Sequence, residues 1–211
     1  MSTMTWDDSI RVLLQQAGSS SPTPGGGSVA TLVAALGAAM TSMVGNLSQG
    51  EKFAHVKLQV ADVMEKLNRL TAECEQLFHA DISAFHKYME ALKLPKRTEE
   101  QKLLRENALL AASMKAIEVP LRLMEVCKNG LLCVYNIAES SNKNVISDLG
   151  IGALLFEAAA QSALLTIEIN LVSLKDGALK RQFAHKVSLL ISEIEELKNK
   201  SLQITRKRIM Q

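Results

Sequence analysis

Ser21-Pro22-Thr23-Pro24-Gly25-Gly26-Gly27-Ser28 runs without a charge into Val29-Ala30-Thr31-Leu32-Val33-Ala34-Ala35-Leu36-Gly37-Ala38-Ala39-Met40-Thr41-Ser42-Met43-Val44-Gly45-Asn46-Leu47. Residues 29–47 are long enough to cross a bilayer. Their make-up argues against it: Ala, Gly, Ser and Thr dominate, and no aromatic belt flanks them, whereas membrane spans rely on Leu, Ile, Phe and Val. A helix covered on all sides inside a soluble fold fits better. Ala30, Ala34, Gly37, Thr41 and Gly45 recur at helical spacing and form a face almost free of side-chain bulk, which another helix can approach closely.

The remaining sequence is also read as helix. Aromatic residues make up only 4% of the chain, and the abundant Ala, Leu, Met, Glu and Lys lose little rotamer freedom in helices. At 211 residues, one large domain spanning 1–211 with a substantial core is expected. The expected fold is all-α: a single-domain multi-helix bundle with long, partly bent helices. A first helix is expected at 6–17, capped by Thr5 and stopped by Gly18. After the residues 29–47 helix come 52–92, ending before Leu94-Pro95, and 99–138, bent where Pro120 removes a hydrogen bond. Helices at 147–174 and 176–208 complete the chain. No strand pattern or internal repeat is present.

A net charge of +2 lacks the basic excess that nucleic-acid binding needs. Cys74, Cys127 and Cys133 are too few and too irregular for a disulfide framework or a C-x-x-C metal site, so reduced packing thiols in a cytoplasmic protein are expected. Residues 1–8 carry Trp6, Asp7 and Asp8 rather than a basic segment and an apolar run, so no secretory leader is expected. His79 and His86 lie seven apart without an H-E-x-x-H pattern, and no metal site is expected. No nucleophile elbow occurs. The basic tail with Lys198, Lys200, Arg206, Lys207 and Arg208 reads as a solvated helix end.

Three features remain for chemistry. The glycine run is either a flexible connector or a turn that exposes bare N–H groups at a helix N-terminus to a ligand. Asp81 shares a helical stripe with Phe78, Phe85 and Tyr88, so its carboxylate points toward the apolar side. It is then either paired with a Lys or Arg from another helix or functional. Ser162, Thr166 and Asn170, four apart, either line a polar cavity or bond a neighbouring backbone, while Glu157, Gln161 and Glu168 form a second stripe that meets water. Asp148 reads most simply as a first-turn acid matched to the helix dipole.

The glycine run with its Ala-rich helix ending Met43-Val44-Gly45-Asn46-Leu47 resembles the opening of the formiminotetrahydrofolate cyclodeaminase and methenyltetrahydrofolate cyclohydrolase family. Asp81-Ile82-Ser83-Ala84-Phe85, Val119-Pro120-Leu121, Asn144-Val145-Ile146-Ser147-Asp148-Leu149-Gly150 and Ile169-Asn170-Leu171 resemble its later segments in order. Glu51 and Thr166 depart from the family pattern. The resemblance implies a free-standing bacterial-type helical homodimer that acts on a tetrahydrofolate derivative without metal or redox cofactor. It implies hydrolysis of methenyltetrahydrofolate to formyltetrahydrofolate, with formiminotetrahydrofolate cyclodeaminase activity, or a non-catalytic folate-binding or structural role, as alternatives. Together with the chemistry, it makes Asp81 the first catalytic candidate and Asp148 the second. Pro24, Gly25, Gly26, Gly27 and Ser28 would hold folate oxygens, Lys52 a carboxylate, and Asn170 a polar ring edge.

Overall fold

A computed structural model describes residues 4–211, which form six α-helices and two short 3-10 turns. Residues 1–3 of the segment read for a leader lie outside the described residues. The helices are α1 (Ile10–Ala17), α2 (Gly26–Asn46), α3 (Lys57–Lys93), α4 (Glu99–Ala138), α5 (Ile146–Ser173) and α6 (Gly177–Ile209). Among the described residues there is no strand, and the all-α expectation holds.

Helix α1 starts later than expected. The Asp8 carboxylate accepts hydrogen bonds from the Thr5 backbone N–H (2.8 Å) and hydroxyl (3.1 Å). This local turn competes with helix, and Ser9 becomes the cap by accepting from Val12 N. Trp6 is thereby released to meet Phe78 edge-on, with ring centroids 5.7 Å apart. Helix α3 also starts late. Gly50 has φ +91°, in the region that favours glycine, and the turn it makes feeds a 3-10 segment, Glu51–Val56, interrupted at Phe53. Helix α4 has the expected bounds because Thr98 and Gln101 form a reciprocal capping box at its start. Asp176 accepts from the N–H groups of Ala178 and Leu179 and starts α6.

Helix α2 lies between α3 and α5, and α4 packs against α2, α3, α5 and α6. The small face is where helices meet: Ala30, Ala34, Gly37, Thr41 and Gly45 are all buried. A Cβ on Gly37 would stand 3.2 Å from the Gly152 carbonyl oxygen and from the Phe156 ring, and one on Gly130 would collide with that ring. The fully buried Phe156 thus occupies space left by two glycines. The three cysteines are buried and unpaired with one another. Burial pushes the Cys74 thiol up to about 12 and Cys133 to about 11, so they pack rather than react.

Helix α4 is tied to α3 through Arg122 and Glu73 and to α6 through Glu125 and Lys186 (2.7 Å). The basic tail is not wholly solvated. The Arg208 guanidinium donates at 2.6 Å to the carbonyls of Ala138, the last residue of α4, and of Ser141 in the turn that follows. The stretches Gly26–Asn46 and Lys143–Ser173 are long and apolar enough to cross a membrane. In this fold both bury their small-residue sides against other helices.

Candidate active site

The glycine run overlaps the first turn of α2, which starts at Gly26, three residues ahead of the expected start at Val29. Gly25 occupies the cap position and supplies no side chain, so the cap residue leaves the N–H groups of Gly26 and Gly27 without an acceptor, while that of Ser28 faces Asp81. Ser21 steadies the preceding turn by donating to the Thr23 carbonyl at 2.8 Å. Opposite this end, α3 presents Asp81. Ser28, fully buried, donates its hydroxyl to Asp81 Oδ2 at 2.6 Å. A Cβ added at Gly27 would run into the same carboxylate. Glycine is required here by close approach.

Burial pushes the Asp81 carboxyl above its ordinary range, with the Ser28 hydroxyl and backbone N–H acting in the opposite direction. Among the described residues no Lys or Arg reaches it within salt-bridge distance. The ion-pair reading of Asp81 therefore has no partner here.

These groups open onto a cavity of about 550 Å³, within the range of small-molecule sites. Gly25, Gly26 and Gly27 form one end and Asp81, Ala84, Phe85 and Tyr88 a side. Ala116 of α4 and Ser162, Leu165, Thr166, Ile169 and Asn170 of α5 complete it. The polar stripe of α5 does both things open to it. It lines the cavity, and Asn170 bonds a neighbouring backbone, its Nδ2 donating to the carbonyls of Ala116 (3.2 Å) and Thr166 (2.8 Å). The Ser162 and Thr166 hydroxyls donate to carbonyls of their own helix.

The other candidates lie elsewhere. Pro24 is buried behind the turn and does not line the cavity. Ser28 reaches the cavity only through Asp81. Asp148 sits in the first turn of α5 and Lys52 is exposed in the 3-10 segment, both outside the cavity lining. A larger hollow of about 750 Å³ borders that segment and is lined by Glu51, Phe53 and Lys57, but it contains none of the candidate acids or glycines. Phe85 and Tyr88, read as core residues, are half-buried cavity walls. Nothing in the 3.6-residue period separates a wall from a core.

The profile of the formiminotransferase-cyclodeaminase family matches residues 9–189. Methenyltetrahydrofolate cyclohydrolase of Methylorubrum extorquens is 33% identical over 207 residues, covering 98% of this chain and all of that protein. Mouse formimidoyltransferase-cyclodeaminase is 35% identical over 188 residues, 89% of this chain, and the chain spans only 35% of the mouse protein's length. The crystal structure of formiminotetrahydrofolate cyclodeaminase from Thermotoga maritima superposes with a TM-score of 0.86 at 24% identity, covering 95% of this chain and 97% of that one. That likeness is one of fold. With the profile spanning most of the chain and the cyclohydrolase aligned end to end, this chain belongs to the formiminotransferase-cyclodeaminase family.

Proposed function

We propose that this chain is a cytoplasmic, metal-free folate one-carbon enzyme that hydrolyses methenyltetrahydrofolate to formyltetrahydrofolate. The observation that carries the reading is Asp81: a largely buried carboxylate facing a ligand-sized cavity, with a hydroxyl partner and, among the described residues, no cationic one. The methenyl bridge joins two nitrogens and carries a positive charge, which Asp81 matches.

Water adds to the bridge carbon, and its proton passes to the Asp81 carboxylate, whose raised pKa suits a general base. The tetrahedral adduct then expels one bridging nitrogen, which takes up a proton as the carbon–oxygen bond becomes the formyl carbonyl. One proton is released in the balance. The N–H groups of Gly26 and Gly27, left without a cap by Gly25, donate to a ligand oxygen. No step requires a metal or redox cofactor.

The cyclodeaminase alternative draws on the same features, because a protonated formimino group is also cationic. Its name is carried by the mouse relative and by the Thermotoga protein, whose likeness at 24% identity is one of fold, while the Methylorubrum protein, 33% identical from end to end, carries the cyclohydrolase name. Purified protein assayed with methenyltetrahydrofolate for loss of methenyl absorbance, and with formiminotetrahydrofolate for ammonia, tests both. Hydrolysis that persists after chelation supports the metal-free reading. Inactivity on both substrates would favour a non-catalytic homologue.

The reading includes a homodimer. Leu36 and Met43 of α2 and Leu154, Leu165, Ile169 and Val172 of α5 are 41–73% exposed. Val29 of α2 and Leu165 and Ile169 of α5 share the cavity wall, which supports one continuous apolar face. These exposed large apolar side chains are what a second copy would cover, a stable interface burying roughly 800 Å² per partner. A second copy is the occupant we propose for it, and a stable monomer by light scattering would overturn this.

A further inference from the structure

We infer that Pro120 and Asn170 work as a pair in which the proline, outside the cavity, orients the asparagine so that its carbonyl oxygen reads an N–H group on the ligand. The inference rests on the folate reading above for the ligand, and on helix geometry for the pair.

Pro120 lies within α4. Having no N–H, it cannot donate to the carbonyl four residues earlier, and that carbonyl belongs to Ala116. Ala116 lines the cavity. Its carbonyl is taken up by Asn170 Nδ2 from α5, at 3.2 Å. The second proton of the same NH2 group goes to the Thr166 carbonyl at 2.8 Å. Two carbonyl acceptors on one side fix the amide, because the flipped amide would set oxygen against oxygen at both contacts. Asn170 lines the cavity, and among the described residues nothing donates to its Oδ1. That atom is an oriented acceptor for a bound ligand.

The neighbouring side chains reinforce this polarity. The hydroxyl protons of Ser162 and Thr166 are committed to helix carbonyls, and Asp81 offers only oxygen lone pairs when ionised. The α5 side of the wall therefore favours a ligand edge that carries hydrogen-bond donors. A reduced pteridine presents such donors at its 2-amino group, N3–H and N8–H. The sequence motifs around Pro120 and Asn170, separate in the chain, thus meet in one specificity device.

The test measures binding of 5-formyltetrahydrofolate and of three analogues, one lacking the 2-amino group, one with carbon at position 3 and one with carbon at position 8. The proteins are the wild type, Asn170→Ala and Pro120→Ala. The side-chain NH2 signals of Asn170 are followed by NMR in the wild type and in Pro120→Ala. Wild type should lose about tenfold or more in affinity for whichever analogue lacks the N–H being read, and Asn170→Ala should bind that analogue and the parent alike. In Pro120→Ala the new N–H at position 120 competes for the Ala116 carbonyl. Its Asn170 NH2 signals should shift and exchange faster, and the discrimination should fall while helicity is kept. Rescue of discrimination by Pro120→N-methylalanine, installed by semisynthesis, would separate the missing donor from the ring.

Retained discrimination in Asn170→Ala, or binding of all three analogues by wild type as tightly as the parent, overturns the ligand half. Unchanged Asn170 NH2 signals in folded Pro120→Ala overturn the positioning half without reference to any ligand. Failure of wild type to bind 5-formyltetrahydrofolate while the NMR shift appears would instead overturn the folate reading and leave the pair intact.

Discussion

The Ser28 hydroxyl donates to Asp81 Oδ2 at 2.6 Å, across 53 positions of sequence and between two helices. Ser28 is fully buried and Asp81 largely so. The bond stabilises the carboxylate, opposing the burial that raises its pKa. In Ser28→Ala the hydroxyl is gone and only the backbone N–H still opposes burial, so Asp81 should ionise at higher pH, and the acidic limb of the kcat/KM profile should move to higher pH. Turnover below that limb should fall by roughly tenfold, the scale of a hydrogen bond to a charged group. Ser28→Cys, a weaker donor of similar shape, should fall between. An unmoved profile would separate Ser28 from the chemistry.

Gly26 and Gly27 are adjacent in the chain but differ in what a side chain would meet. A Cβ at Gly27 collides with the Asp81 carboxylate, whereas one at Gly26 meets nothing within 4 Å. Gly27→Ala should displace Asp81 and cut turnover by about a hundredfold, the cost of misplacing a reacting group, with helicity retained. Gly26→Ala should be tolerated. Gly26→Val, filling part of the cavity wall, should weaken folate binding while the fold persists. Equal activity in Gly27→Ala and Gly26→Ala would contradict this assignment.

Phe156 and Gly130 make a separate claim about the core. The ring occupies the space where a Gly130 side chain would stand. Gly130→Ala should destabilise by about 1–3 kcal/mol through overpacking, although alanine is intrinsically the better helix former by about 1 kcal/mol. Phe156→Ala should cost about 3–5 kcal/mol through the cavity it leaves. The double variant should cost less than the sum, because the methyl group added at position 130 then enters space the ring vacated. Denaturant unfolding of the three variants measures this, and additive losses would show that the two positions do not compete.

What sequence reading could reach follows the range of each interaction. Helix α4 was legible to the residue because Thr98 and Gln101 carry its start in a local motif. The small face of α2 was legible because bulk is a property of each residue. The start of α1 was not, since Asp8 captures Thr5 through a local bond that also looks like a good first-turn acid. Asp81 was legible as an acid on an apolar stripe. That Ser28 serves Asp81, and that Asp148 and Lys52 lie outside the cavity, depends on how α2, α3 and α5 pack, which no spacing encodes. The freed Ala116 carbonyl was within reach, because a proline inside a helix always leaves one four residues before it. Its acceptance by Asn170 was not.

Asp81→Asn brings activity and stability into opposition. As general base or cation partner, Asp81 should account for roughly a hundredfold or more in turnover, the scale of a positioned acid–base group. Its effect on stability follows from the direction of its pKa shift. Burial raises the folded-state pKa above that of the unfolded chain, so the folded state binds the proton more tightly. The resulting penalty is absent below the unfolded pKa, grows as pH rises through the folded pKa and is complete above it. Asparagine carries no charge and escapes this penalty while its side-chain oxygen can still accept from Ser28. Asp81→Asn should therefore melt at the same temperature as wild type or a few degrees higher at neutral pH, about 2–4 °C for each kcal/mol gained in a chain of this size. The difference should vanish in acid, where wild-type Asp81 is itself neutral. A carboxylate held in a structural ion pair would behave oppositely, with its removal lowering stability by about 3–5 kcal/mol while the folded enzyme kept its turnover. Melting curves at neutral and acid pH, with turnover on the same preparation, decide between them. A destabilised but fully active Asp81→Asn would remove Asp81 from the chemistry.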